Sequence, residues 1–207
     1  MYSDIKRQLI EFGRLAGGKD LTSGLSGNMS CRAGEDSVVI TATSTANAYL
    51  EEDDFCVIDL EGNILEGDSK PSSELFLHLK FYKQRPDVNA VLHFHSPYLS
   101  AFAISGVEPD KNVVPEIVYA FGSIPLADYA LPGSEELVLK TAKYFKDYDI
   151  ILMKNHGVIA GAKDIRSAYL KLETCENYAK TVICAGILGG SKALSDEEVE
   201  KIYLLRK

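Results

Sequence analysis

Val88-Asn89-Ala90-Val91-Leu92-His93-Phe94-His95 ends against Ser96-Pro97. Its β-branched and apolar residues predict a mostly buried strand that stops where the proline interrupts pairing. Successive side chains on a strand point to opposite faces, so Leu92 and Phe94 project to one side while His93 and His95 project to the other, one imidazole above the next. Neutral imidazole is a common ligand for zinc and its neighbours in the first transition row. The stretch therefore reads either as two histidines that end a strand or as half of a metal site. Scarcity and partners favour the site. The chain has only four histidines in 207 residues, and His156, in Met153-Lys154-Asn155-His156-Gly157, also follows an apolar run, Ile150-Ile151-Leu152. A carboxylate upstream, Glu74, completes the candidate set.

Composition limits what surrounds this centre. An apolar content of 46% with 25% charged residues suits a soluble globular protein, and one domain spanning 1–207 is expected because no Pro/Ser-rich linker divides the chain. The longest apolar runs are far short of a membrane span. A net charge of −8 without a Lys/Arg cluster argues against a nucleic-acid partner. Cys31, Cys56, Cys175 and Cys184 form no CxxC pair and read as reduced thiols, and the charged start Ser3-Asp4-Ile5-Lys6-Arg7 is unlike an export signal. A cytoplasmic protein is expected.

Outward from the centre, Ile5, Leu9, Phe12 and Leu15 recur at helical spacing, and Gly17-Gly18 is the expected stop. Ser23-Gly24-Leu25-Ser26-Gly27-Asn28 is a Gly/Ser/Asn segment whose glycines allow amide groups to turn toward an anion, or simply make a turn. Val38-Val39-Ile40-Thr41 predicts a strand with a hydroxyl-rich exit, Thr43-Ser44-Thr45. Residues 56–60 and 64–66 predict a hairpin. Pro71-Ser72-Ser73-Glu74 is expected to open a helix through Tyr82 with a serine cap and an anion-attracting end. His78, four residues past Glu74, is expected to pack or to support it. Pro115 to Leu126 is apolar and strand-prone, with Glu116 as its only charge. Ser134 starts a helix to about Tyr144, and residues 149–153 and 158–160 flank a hairpin tip carrying His156. Asp164 caps a long helix ending near Gly186, and Ser195-Asp196-Glu197-Glu198 is a capping box. The whole pattern predicts a partly antiparallel sheet with helices on both faces.

Gly27-Asn28, Pro71-Ser72-Ser73-Glu74, His93-Phe94-His95 and Asn155-His156-Gly157, in this order and across nearly the whole chain, resemble the class II aldolase/adducin family, its sugar-phosphate aldolases above all. The resemblance implies a three-layer α/β/α sandwich around a mixed, largely antiparallel sheet. It also implies a homotetramer with active sites between subunits, a bound Zn²⁺ or another divalent first-row ion, and a phosphorylated ketose as substrate. By motif, His93, His95 and His156 would hold the metal, with Glu74 as acid/base and occasional ligand. Gly27, Asn28, Thr43, Ser44, Ser72 and Ser73 would match the phosphate and substrate contacts.

Cleaving such a ketose phosphate leaves an enediolate, which calls for a Lewis acid and a nearby carboxyl group whose burial lets it carry a proton. The chain departs from the family pattern in three places. Thr41-Ala42-Thr43-Ser44 stands where a Thr-Pro-Thr-Gly run is usual, Leu25 replaces a threonine, and no long tail follows to bring in a tyrosine, a part left to Tyr203 or Tyr119. Glu116 is either a second proton-transfer group or a buried or interface carboxylate. Within the same family a pentulose-5-phosphate 4-epimerase usually has Asp at the Glu74 position, a methylthioribulose-phosphate dehydratase would release water, and an adducin-like interaction module would not need the His/Glu set.

Overall fold

The computed structural model describes residues 2–205. In chain order it contains α1 (Tyr2–Gly18), β1 (Asn28–Arg32), β2 (Ser37–Thr41), β3 (Phe55–Asp59), β4 (Ile64–Glu66), α2 (Leu75–Gln84), β5 (Ala90–Phe94) and α3 (Pro97–Ser105). These are followed by α4 (Pro115–Ala120), β6 (Leu126–Ala127), α5 (Glu135–Ala142), β7 (Ile150–Met153), β8 (Gly157–Ala162), α6 (Ile165–Ile187) and α7 (Asp196–Leu204). The strands form one eight-stranded sheet in the order β4-β3-β2-β1-β5-β8-β7-β6. Among the described residues only β6 and β7 pair in parallel, so the sheet is mixed and largely antiparallel, as the sequence implied.

Alternation along the strands divides the interior into two cores. Met29, Val39, Val57, Leu92, Phe94, Val158 and Ala160 face one side, where they pack with Leu9 of α1, Leu99 of α3 and Ala168, Leu172 and Cys175 of α6. Val38, Ile40, Ile58, Val91, Ile151 and Ile159 face the other, under Leu77 and Phe81 of α2 and Leu137 of α5. Both faces are apolar on the central strands because both are covered, which gives the layered α/β/α arrangement. No helix among the described residues is long and apolar enough to cross a membrane.

Two expectations are corrected. The apolar stretch after Pro115 is not a strand: Pro115 takes the first helical position of α4, where its missing N–H is no loss, and Ile117 and Val118 bury one side of that turn. Only Leu126 and Ala127 reach the sheet. The helix expected from Pro71 starts at Leu75, because residues 70–72 are drawn to the end of β2. There Pro71 bridges Ala42, the Thr43 N–H donates to the Lys70 carbonyl at 2.9 Å and the Ser72 N–H to the Thr41 carbonyl at 3.1 Å. Glu74 is therefore the residue that caps the helix rather than part of its first turn, and no serine side chain caps it. Smaller shifts occur at helix ends: α1 continues through Gly18, and α5 ends at Ala142.

Candidate metal centre

The site lies at one end of three adjacent strands. β1 begins where β5 ends, Asn28 standing opposite His93 in the register. β8 begins beside the same point, with Phe94 opposite Val158, and the tight turn before it carries His156. His95 follows β5 by one residue. The three ring centroids are 4.7 to 5.0 Å apart, and one nitrogen from each imidazole lies within 4.8 Å of the others.

Glycine makes this approach possible. A Cβ on Gly157 would lie 2.5 Å from the Phe94 carbonyl oxygen and 2.8 Å from Cδ2 of His95. A Cβ on Gly27, whose φ is +81°, would lie 2.5 Å from the His93 carbonyl oxygen. The loop before Asn28 is held by a residue the sequence did not single out, Asn47, whose Nδ2 donates to the Ser26 carbonyl at 3.0 Å.

Charge and hydrogen bonding converge on Glu74. Its Oε2 is 3.2 Å from Nε2 of His93 and its Oε1 is 3.4 Å from Nε2 of His156. Asn28 Nδ2 donates to Oε2 at 3.0 Å, while the buried Oε1 has no hydrogen-bond partner. Burial alone would push this carboxyl up, but the His93 and His156 imidazoles outweigh it and hold it well below the usual carboxylate range. This corrects the expectation that burial lets Glu74 store a proton. His95 and His156 are pushed down to about 4, by burial first and then by His93, so both stay neutral and keep a lone pair at neutral pH. His93 shifts the other way: burial lowers it, but Glu74 more than restores it. The His93 Nδ1 N–H donates to the Val158 carbonyl at 3.0 Å, which leaves Nε2 facing the other imidazoles.

This donor set fits a divalent ion. Four ligands about 2.0–2.1 Å from zinc stand roughly 3.3 Å from one another in a tetrahedron. His93 and His95 are 3.0 Å apart at Nε2, close to that edge, as are the Glu74 contacts with His93 and His156. Nitrogen lone pairs crowded together in a buried site repel unless a cation or proton lies between them.

The other candidate residues divide into a buried base and an open rim. Ser72 is buried, its Oγ accepting the Glu74 N–H at 3.3 Å, and Asn28 is buried between Glu74 and His78. Thr43, Ser44 and Ser73 are exposed, and the pairing of residues 43 and 70 places the two segments side by side. Ser44 has φ +61°, so the position where the resembling family has glycine does adopt the left-handed backbone, here with a side chain. Glu116 is exposed on α4. Tyr203 packs against Gly122, near the start of β7 and at the opposite end of that strand from His156.

Sequence reasoning missed Glu176. From the middle of α6 it accepts the Ser96 hydroxyl at 2.8 Å and the Tyr98 and Leu99 N–H groups at 2.8 and 2.9 Å. A carboxyl group eighty positions from Ser96 thus caps α3 and fixes the segment that follows His95, while Ser96 itself makes no cap bond to the helix it precedes.

The family model of the class II aldolase and adducin N-terminal domain matches residues 7–183. The chain belongs to that family. This class II aldolase-family chain is 37% identical over 178 residues to the L-fuculose phosphate aldolase of Methanocaldococcus jannaschii, across 86% of this chain and 95% of that protein. It is 31% identical over 203 residues to the 3-oxo-tetronate 4-phosphate decarboxylase of Haemophilus influenzae, across 95% of each. A solved structure of an L-fuculose 1-phosphate aldolase matches it with a TM-score of 0.91 at 32% identity, covering 98% of this chain and 96% of that one. The chain is an enzyme of the aldolase family, with a histidine cluster able to hold a metal ion.

Proposed function

We propose that this class II aldolase-family enzyme cleaves a phosphorylated ketose of the L-fuculose 1-phosphate type to dihydroxyacetone phosphate and an aldehyde, with zinc held by His93, His95 and His156. The observation that carries this reading is the meeting of three imidazoles around the Glu74 carboxylate. An ion bound there supplies a Lewis acid that stabilises negative charge on the oxygens of the three-carbon fragment. Everything else falls to the chain's own groups.

Glu74, held as a carboxylate, is a base. In the condensing direction its Oε1, which has no hydrogen-bond partner, removes the proton from the carbon beside the ketone; in cleavage it first takes up the proton lost from the hydroxyl that becomes the aldehyde and then delivers it to the enediolate carbon. Asn28, by gripping Oε2, leaves Oε1 as the oxygen free to do this. The exposed hydroxyls of Thr43, Ser44 and Ser73, beside Ser72, Gly27 and the second N–H of the Asn28 amide, form the phosphate seat. Fixing that end orients the bond to be broken. The rim is open on the exposed side, in keeping with a homotetramer whose sites lie at subunit boundaries.

A second reading follows from the Haemophilus relative. Loss of carbon dioxide from a 3-oxo acid phosphate and loss of an aldehyde from a ketose 1-phosphate leave the same enediolate, and the residues described here serve that fragment rather than the departing one. Zinc-loaded protein incubated with ketose 1-phosphates, pentulose 5-phosphates and 3-oxo-tetronate 4-phosphate separates the cases. Dihydroxyacetone phosphate with an aldehyde is expected; carbon dioxide with dihydroxyacetone phosphate and no aldehyde assigns the decarboxylase, and an epimer alone the epimerase. Glu74→Gln is expected to keep its metal and lose about 10²–10⁴-fold in turnover, the usual worth of general acid–base help.

A further inference from the structure

Beneath Glu74 a line of hydrogen bonds crosses from α2 to β1. Glu74, His78 and Tyr82 recur every four residues and so share one face of the helix, while Asn28 and Ser30 share the face of β1 turned toward it. The two sets interleave. Tyr82 OH is 2.7 Å from Ser30 Oγ, which is 2.7 Å from His78 Nδ1; His78 Nε2 is 2.6 Å from Asn28 Oδ1, and Asn28 Nδ2 is 3.0 Å from Glu74 Oε2. His78, Ser30 and Tyr82 are fully buried.

Chemistry allows one direction for this line. A carboxylate only accepts, so the amide nitrogen of Asn28 must face Glu74 and its oxygen must face His78. That oxygen needs a donor, which puts a hydrogen on Nε2 of His78. Burial, followed by the charge of His93, pushes His78 down to about 3, so the ring is neutral and its Nδ1 accepts. Ser30 then donates to Nδ1 and receives the Tyr82 hydroxyl proton, which burial keeps in place by raising that phenol well above its usual range. Every donor points toward Glu74.

We propose that His78 is a positioning residue: held as the Nε2–H tautomer by Ser30 and Tyr82, it fixes the Asn28 amide so that one N–H grips Glu74 Oε2 beside His93 and leaves Oε1 on the side of His156. The amide in the middle makes the line an aiming device rather than a proton wire, because a carboxamide does not readily give up a proton and recover it. The effect on catalysis rests on the aldolase reading above; the tautomer does not.

The test is ¹⁵N NMR of the imidazole nitrogens in the unaltered protein, with kinetics of two variants. His78 is expected to carry its proton on Nε2 throughout the neutral pH range. His78→Leu is expected to lower kcat about 10–100-fold, the usual cost of losing such a supporting partner, with a smaller rise in KM, because the same amide faces the phosphate seat, and with bound zinc nearly unchanged. His78→Gln, whose amide N–H can replace Nε2–H, should recover most of the loss. A proton on Nδ1, a charged ring, or a folded His78→Leu with undiminished kcat would overturn the proposal. Should His78→Leu fail to fold, the tautomer and the Gln variant decide the question. A protein with the Nε2–H tautomer that cleaves no ketose phosphate supports the aiming line and removes the assigned reaction instead.

Discussion

One methyl group at Gly157 would separate the imidazoles. Its Cβ would meet a backbone carbonyl at 2.5 Å and the His95 ring at 2.8 Å, and a carbonyl in the middle of a sheet cannot move aside cheaply. Gly157→Ala is expected to cost about 1–3 kcal/mol, the usual range for overfilling a tight site. It should also lower zinc affinity, because His95 is the group displaced. Urea unfolding and metal titration check both, and a variant with unchanged zinc affinity would mean that the three rings do not need this spacing. Ser44 shows the opposite use of a special backbone. It keeps a left-handed conformation without glycine and gains a hydroxyl at the rim.

At the level of elements, the start of α3 depends on α6. Glu176→Ala would leave two backbone N–H groups and the Ser96 hydroxyl without their acceptor in a buried place, at an expected cost of about 2–4 kcal/mol. Glu176→Gln should lose less, since its carbonyl oxygen still accepts. Chemical denaturation measures this, and a change within about 0.5 kcal/mol, that of an ordinary surface substitution, would show that Ser96 and Pro97 start the helix unaided. The contrast shows what could be read in the chain. The β5 strand, the hairpin carrying His156 and the Ser195 capping box were legible, because each rests on a period or a cap confined to neighbouring residues, whereas the His/Glu set was read from the scarcity of histidine and the family resemblance. Glu176 was not, since nothing local ties a mid-helix glutamate to a turn eighty positions earlier in the chain. Pro115 to Leu126 was misread because a short apolar run has no period long enough to tell a strand from one helical turn. The start of α2 shifted for a similar reason: residues 70–72 found partners on β2 that their own sequence does not reveal.

For the whole molecule, the buried imidazoles link stability to pH. The folded pKa of His78 lies near 3 against an ordinary 6.5, so between those values the unfolded chain binds more protons. Metal-free protein should therefore lose stability as pH falls below 6.5, by about 1.4 kcal/mol per pH unit from His78 alone, levelling off near the folded value. His95, His156 and the lowered Glu74 act in the same direction. His93, which is raised, acts above 6.5, where the stability it adds is lost as pH rises. Melting temperature against pH, with and without zinc, reads this out: zinc should raise it most near neutrality and least in acid, where protons compete for the same nitrogens. A flat profile for the metal-free protein would mean that these rings are not buried neutral.

The pairing of β5 with β8 has one more consequence. A nascent chain emerging from the ribosome carries His93 and His95 long before it carries His156, and two imidazoles alone are a poor trap. On the reading proposed above, an ion held by all three imidazoles would be bound only once β8 has closed against β5.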